Sequence, residues 1–107
     1  MPHYLIRASY TPEGWAALVK NPQNRREALR PVIEAAGGKL DAFYYAFGED
    51  DAFVLVELPD NVSAAAISMS VAASGAVKST ATTPLMTAEE AVEAMKRASR
   101  AGYRPPA

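Results

Sequence analysis

The chain of 107 residues has one histidine, His3, and no cysteine. Thiolate nucleophiles, disulfides and cysteine-ligated metals are therefore excluded. Sorting alternate residues of the extended segments onto opposite faces brings reactive types into two groups. The first holds His3, Asp41, Glu57 and Thr82. The second holds Arg7, Tyr45 and Lys78, with Phe43, Phe53 and Thr80 lining the same face. An imidazole oriented by a carboxylate is a general base, so His3 and Glu57 are the candidate catalytic residues. In the second group Arg and Lys supply donors and Tyr a hydroxyl, which fits an anionic or carbonyl-bearing ligand. The ligand-binding candidates are thus Arg7, Asp41, Phe43, Tyr45, Phe53, Lys78, Thr80 and Thr82. No cofactor is expected; the alternative is a divalent metal held by His3 and the two carboxylates, or a haem with His3 as axial ligand. Each group also has a plainer reading, a solvated His3 near the start of the chain and an ordinary ion pair between Arg7 and Glu57.

These residues need strands to carry them. His3 to Tyr10 reads as a strand that stops at Thr11-Pro12, where Thr11 is the N-cap and Pro12 the first helical position. A short helix over Trp15 to Val19 ends near Asn21-Pro22. A second runs from Asn24 to Ala36 and stops at Gly37-Gly38, with a kink expected near residues 27–31 because Pro31 lacks an N–H. Lys39 to Phe47 and Asp51 to Leu58 form a hairpin around Gly48-Glu49-Asp50. Asp60 or Asn61 caps a helix of mostly Ala and Ser from Val62 to Ser74, whose small side chains fit close packing. Val77 to Thr83 is a strand ended by Pro84. Thr87 and Glu90 make a capping box, and Ala88, Ala91, Val92, Met95 and Ala98 form an apolar stripe along the last helix. The order βαββαβ, with one extra helix after β1 and a C-terminal one, predicts a ferredoxin-like α+β sandwich with an antiparallel sheet in the order 4-1-3-2.

Composition narrows the functions. Eleven Lys and Arg against twelve Asp and Glu leave a formal charge of −1, which provides no field for nucleic acid, and no basic-aromatic motif lies on the strands. No apolar run is long enough for a membrane span, and the start MPHYLIRASY lacks the pattern of a signal peptide, so a cytoplasmic protein is expected. No G-x-G-x-x-G or Walker pattern occurs, and Gly14 belongs to no phosphate loop. Asn24-Arg25-Arg26 and Glu49-Asp50-Asp51 read as a solvated helix start and a soluble turn. Trp15 reads as a packing residue of the core or its edge.

The stretches Met1-Pro2-His3-Tyr4, Tyr10-Thr11-Pro12-Glu13-Gly14, Gly37-Gly38-Lys39-Leu40, Phe43-Tyr44-Tyr45, Phe47-Gly48-Glu49 and Leu58-Pro59-Asp60-Asn61 resemble the GYD domain family. The resemblance covers roughly residues 1–95, so residues 1–99 are taken as one domain and 100–107 as a flexible tail. The family is named for a Gly-Tyr-Asp element at the hairpin; this chain has Gly48-Glu49-Asp50-Asp51 there, with Asp50 in the place of the Tyr. The resemblance implies the dimeric α/β-barrel arrangement, in which two sheets face each other, and no established activity.

Such a dimer agrees with the residues themselves. A lone domain would leave Leu5, Phe43, Phe47, Phe53 and Leu55 on an open sheet face, and an apolar patch of that kind marks an interface. The expectation is a homodimer, with higher oligomers open, that encloses a small organic ligand between its sheets. The alternative is a cofactor-independent oxygenase or isomerase acting on a small carbonyl or aromatic compound, by analogy with relatives of the fold. A structural dimer without a ligand is the third reading.

Overall fold

The computed structural model describes residues 1–107. The elements are β1 (His3–Tyr10), α1 (Pro12–Lys20), α2 (Arg25–Ala35), β2 (Lys39–Tyr45), β3 (Ala52–Glu57), α3 (Asn61–Ala73), β4 (Val77–Leu85) and α4 (Ala88–Ala98). One antiparallel sheet orders them β2-β3-β1-β4, which is the expected 4-1-3-2 order counted from the other edge. The fold is ferredoxin-like α+β.

Local chemistry explains the boundaries. Thr11 caps α1 by accepting from the Gly14 N–H at 2.9 Å, and Asn24 caps α2 from the Glu27 N–H. The helix α2 runs unbroken through Pro31. Strand β4 does not stop at Pro84 as expected but continues to Leu85. Its place at the sheet edge is the reason, since proline lacks only a donor that an edge strand need not supply.

Asp60 and Glu90 cap α3 and α4 with carboxylates. Asp60 accepts from the Ser63 N–H at 2.8 Å, and Glu90 closes the capping box by accepting from the Thr87 N–H at 2.9 Å. These backbone hydrogen bonds hold both carboxyls below their ordinary range. A carboxyl depressed in the folded state contributes stability at neutral pH that is lost as pH falls through its folded value. The first turn of α4 should therefore lose amide-exchange protection on acidification below the carboxylate range. Glu90→Gln should remove most of that pH dependence, and an unchanged acid profile in the variant would contradict this account.

The core lies between the sheet and the helices. Tyr4, Ile6, Leu40, Val54 and Val56 from the strands meet Ile33 of α2 and Ala64 and Ile67 of α3, with Leu58 closing the end. Tyr4 is fully buried, and its hydroxyl donates to Asn61 Oδ1 at 2.6 Å. The small side chains of α3 do not bring the helices together. Instead α3 stands apart from α1 and α2 across an apolar gap of about 460 Å³, floored by Ile6, Ala8 and Val54. An aromatic group of Tyr10, Trp15, Phe43 and Tyr45 packs at its edge, with Tyr10 and Trp15 centroids 4.9 Å apart. Burial, and next the neighbouring Tyr45 hydroxyl, push the Tyr10 phenol well above its ordinary value.

The helix α4 has no buried residue and packs closely on no other element of its chain. The chain is accordingly extended, 57 × 34 × 22 Å, with a radius of gyration of 17.1 Å. A compact chain of this length would have a radius of gyration of about 13 Å.

Candidate functional site

The candidate site is the sheet face away from the helices. Strand β1 presents His3, Leu5, Arg7 and Ser9 there, since Tyr4, Ile6 and Ala8 point into the core. Strand β3 pairs Glu57 with His3, Leu55 with Leu5 and Phe53 with Arg7, which sets His3 and Glu57 side by side as the first expected group has them. At one end of the face His3, Asp41 and Glu57 converge: a ring nitrogen and one oxygen of each carboxylate lie within 4.8 Å of one another. A depression of about 250 Å³ opens beside them, walled by Leu55, Leu85, Met86 and Thr87.

Asp41 reaches this group through a β-bulge. Leu40 pairs with Val56 and Ala42 with Leu55, so Asp41 is the extra residue on its strand. A bulge re-aims a side chain and shifts everything beyond it by one residue. The shift corrects two expectations. Phe43 pairs with Val54 and Tyr45 with Ala52, so both lie on the helix side, Phe43 against the core and Tyr45 with Tyr10 and Trp15. Tyr44, opposite Phe53, takes the open-face position.

Strand β4 brings three further corrections. His3 is opposite Leu85 rather than Thr82, a slip of an odd number of residues that reverses the faces. Thr82 pairs with Ile6 and its hydroxyl is hydrogen-bonded to Ser68 of α3. Thr80 pairs with Ala8 on the helix side. Lys78 is passed over between Val77, opposite Tyr10, and Ser79, opposite Ser9. It is exposed at that bulge and does not join Arg7. The open face instead receives Ser79, Ala81, Thr83 and Leu85.

The other end of the face is built around Arg7. Its ion pair is with Asp50 at 3.7 Å, not with Glu57 as the plainer sequence reading had it. The hairpin loop is folded back to make this contact: the Ser9 hydroxyl donates to the Glu49 carbonyl at 2.8 Å, and the Tyr10 N–H to Asp51 Oδ2 at 2.9 Å. That contact is longer than a hydrogen bond, and Arg7 Nε is buried without a partner. The guanidinium is therefore under-used within one chain. Four residue steps along β1 separate it from His3, about 13 Å at the usual rise, with Leu5 and Leu55 between and Phe53 directly opposite Arg7. Sequence reasoning missed Asp50, Leu85, Met86 and Thr87 as lining groups. The last three were hidden by reading Pro84 as a strand end.

The chain contains no helix long and apolar enough to cross a membrane. No curated protein matches it. Among solved structures it is similar to one described as "Crystal Structure of MtbAldR (Rv2779c)", at 13% identity and a TM-score of 0.58. The match covers 80% of this chain and 53% of that one, so the chain spans about half of that protein's length and shares its fold alone. The family model of the GYD domain matches residues 4–95, and the chain belongs to the GYD domain family.

Proposed function

We propose that the protein is a homodimer that binds a small organic molecule between two open sheet faces. The observation that carries this reading is a surface too large for a single chain of this size. A folded monomer of 11.4 kDa exposes about 5,800 Å²; this chain exposes 7434 Å², roughly 1,600 Å² more. An excess of that size matches what each protomer of a large obligate dimer buries. It is apolar where a partner would sit: Leu55 is 37% exposed at the middle of the open face, Phe47 projects from the hairpin tip, and Met95 is 66% exposed on the stripe of α4. A second copy would cover these groups and leave Arg7, His3, Asp41 and Glu57 facing an enclosed space. The occupant that fits has a carboxylate or carbonyl oxygen for Arg7, an apolar or aromatic middle, and a second polar group at the His3 end.

Native mass spectrometry of the freshly purified protein tests this. The expected result is a dimer carrying extra mass that denaturation releases and Arg7→Gln loses. A monomer overturns the reading. A mass that survives Arg7→Gln also overturns it, because it places the occupant elsewhere, the apolar gap between the helices being the available volume. A second reading rests on the direct pairing of His3 with Glu57, which would serve as acid and base in a cofactor-independent reaction on the bound carbonyl compound. It requires that Glu57→Gln keep the bound mass and abolish its turnover.

A further inference from the structure

We propose that His3, Asp41 and Glu57 together bind one divalent first-row transition cation per chain. All three donors come from one chain, so the site does not depend on the dimer proposed above.

The spacing of the donors is the first argument. The three ligand atoms lie within 4.8 Å of one another, yet His3 forms no ion pair with either carboxylate, and Glu57 has no ion-pair partner at all. A His–carboxylate hydrogen bond would bring the atoms to about 2.8 Å. Ligands around a cation are held about 2.0–2.2 Å from it, which separates pairs of them by roughly 3–4.3 Å. The observed spread leaves space for an ion at the centre and needs only small side-chain rotations to close. These side chains stand on paired strands rather than loops. His3 and Glu57 are direct partners across β1 and β3, and Asp41 is the bulged residue next to the β2–β3 ladder.

Charge is the second argument. The two carboxylates converge at the end of the open face, Asp41 exposed and Glu57 half-buried, and like charges brought that close repel each other. Lys39 lies 3.7 Å from Asp41, but its side chain is 70% exposed, and a pair of that kind offsets little. A divalent cation supplies the neutralisation that the chain lacks.

The donor types choose the metal. One imidazole nitrogen with two carboxylate oxygens suits Mn²⁺, Fe²⁺, Co²⁺ or Zn²⁺. It is too few oxygens for Ca²⁺, which takes six to eight. Three protein ligands leave coordination positions free on the side of the open face, as in sites where a metal meets an exchangeable ligand. An oxygen donor on the small molecule would complete the shell there, with Arg7 holding its other end.

The test uses the untagged 107-residue chain, stripped with a chelator and titrated with Co²⁺ and then Zn²⁺ by calorimetry, with the Co²⁺ visible spectrum recorded in parallel. The expected result is saturable binding near one cation per chain. His3→Ala, Asp41→Asn and Glu57→Gln should each weaken it by about tenfold or more, while Glu34→Gln, which removes an exposed carboxylate of α2, leaves it unchanged. Metal-free melting curves compare the folds; the two amide variants are near-isosteric and keep the test valid if His3→Ala is unstable. Size-exclusion chromatography of the same samples reports the oligomer separately, so a monomer that binds the cation overturns the dimer and not this site. Absence of saturable binding at millimolar Co²⁺ and Zn²⁺, or binding that Asp41→Asn and Glu57→Gln do not weaken, overturns the proposal.

Discussion

Leu55→Asp is expected to leave the single-chain fold intact and to convert the proposed homodimer into a monomer. Leu55 lies at the centre of the open face, paired with Leu5 on one side and Ala42 on the other. Because its side chain is already partly exposed in one chain, an aspartate there meets water and costs the monomer little. In the dimer the same carboxylate would be trapped against an apolar sheet without a partner. A two-fold interface presents every substitution twice. Losing a buried Leu removes about 1.5–3 kcal/mol per site, and desolvating an unpaired charge costs several more. The combined loss moves dissociation into or above the micromolar range of an ordinary ultracentrifugation experiment. Wild-type protein should sediment as a dimer and the variant as a monomer with an unchanged far-UV spectrum. Wild type sedimenting as a monomer at that concentration would remove the basis for an enclosed pocket, and a variant that stays dimeric would move the interface off this face.

The elements and the central half of the site were legible because they rest on strong local chemistry. Thr11-Pro12, Gly37-Gly38 and the Thr87–Glu90 box mark their boundaries through capping and turn geometry that few other residues satisfy. The β1–β3 register needed one assumption, antiparallel pairing with Ser9 near Asp51; alternation fixes only the faces, since a two-residue slip would bury Tyr4, Ile6, Val54 and Val56 just as well. His3 and Glu57 were placed opposite each other on that basis. The misplacements trace to two bulges. Nothing in Leu40-Asp41-Ala42 or Val77-Lys78-Ser79 signals an extra residue, as both stretches lack glycine and both still alternate plausibly when read straight. Each bulge nevertheless moves everything beyond it to the opposite side of the sheet. Phe43 and Tyr45 thereby leave the site for the aromatic cluster beneath α1, and Thr80 and Thr82 end on the helix side. Asp41 was assigned to the right group from a straight strand, whereas the structure brings it there through the bulge. The gap beside α3 was illegible for a different reason. Ala and Ser permit close helix packing but do not enforce it, and how far two helices stand apart depends on the connections that hold them.

The most damaging single methyl group in this chain should be the one added by Gly38→Ala. A Cβ on Gly38 would lie 2.2 Å from the Glu57 carbonyl oxygen and 2.7 Å from Leu58 Cδ2. The carbonyl belongs to the backbone of β3 and cannot rotate away. Leu58 is fully buried, so its side chain has no free volume to enter. The start of β2 must therefore move off the end of β3, at the place where Lys39 pairs with Glu57. Overpacking of this kind costs typically about 1–3 kcal/mol, and the immovable carbonyl puts this case at the upper end. Gly48→Ala is the matched control. Its added methyl meets nothing within 4 Å, and its backbone has no positive φ, so reduced freedom of the unfolded chain should make it neutral or stabilising by about 0.4–1 kcal/mol. Gly75→Ala separates the two causes, since it also meets open space but sits at φ +79°, where a side chain is strained by roughly 1–2 kcal/mol. Urea unfolding midpoints should therefore rank Gly48→Ala highest, Gly75→Ala next and Gly38→Ala lowest. The last variant should also weaken cation binding, because it displaces Glu57 and the bulge that carries Asp41. Equal midpoints for the Gly38 and Gly48 variants would mean that the two strands do not meet this closely. The convergence of His3, Asp41 and Glu57 would then have lost its support.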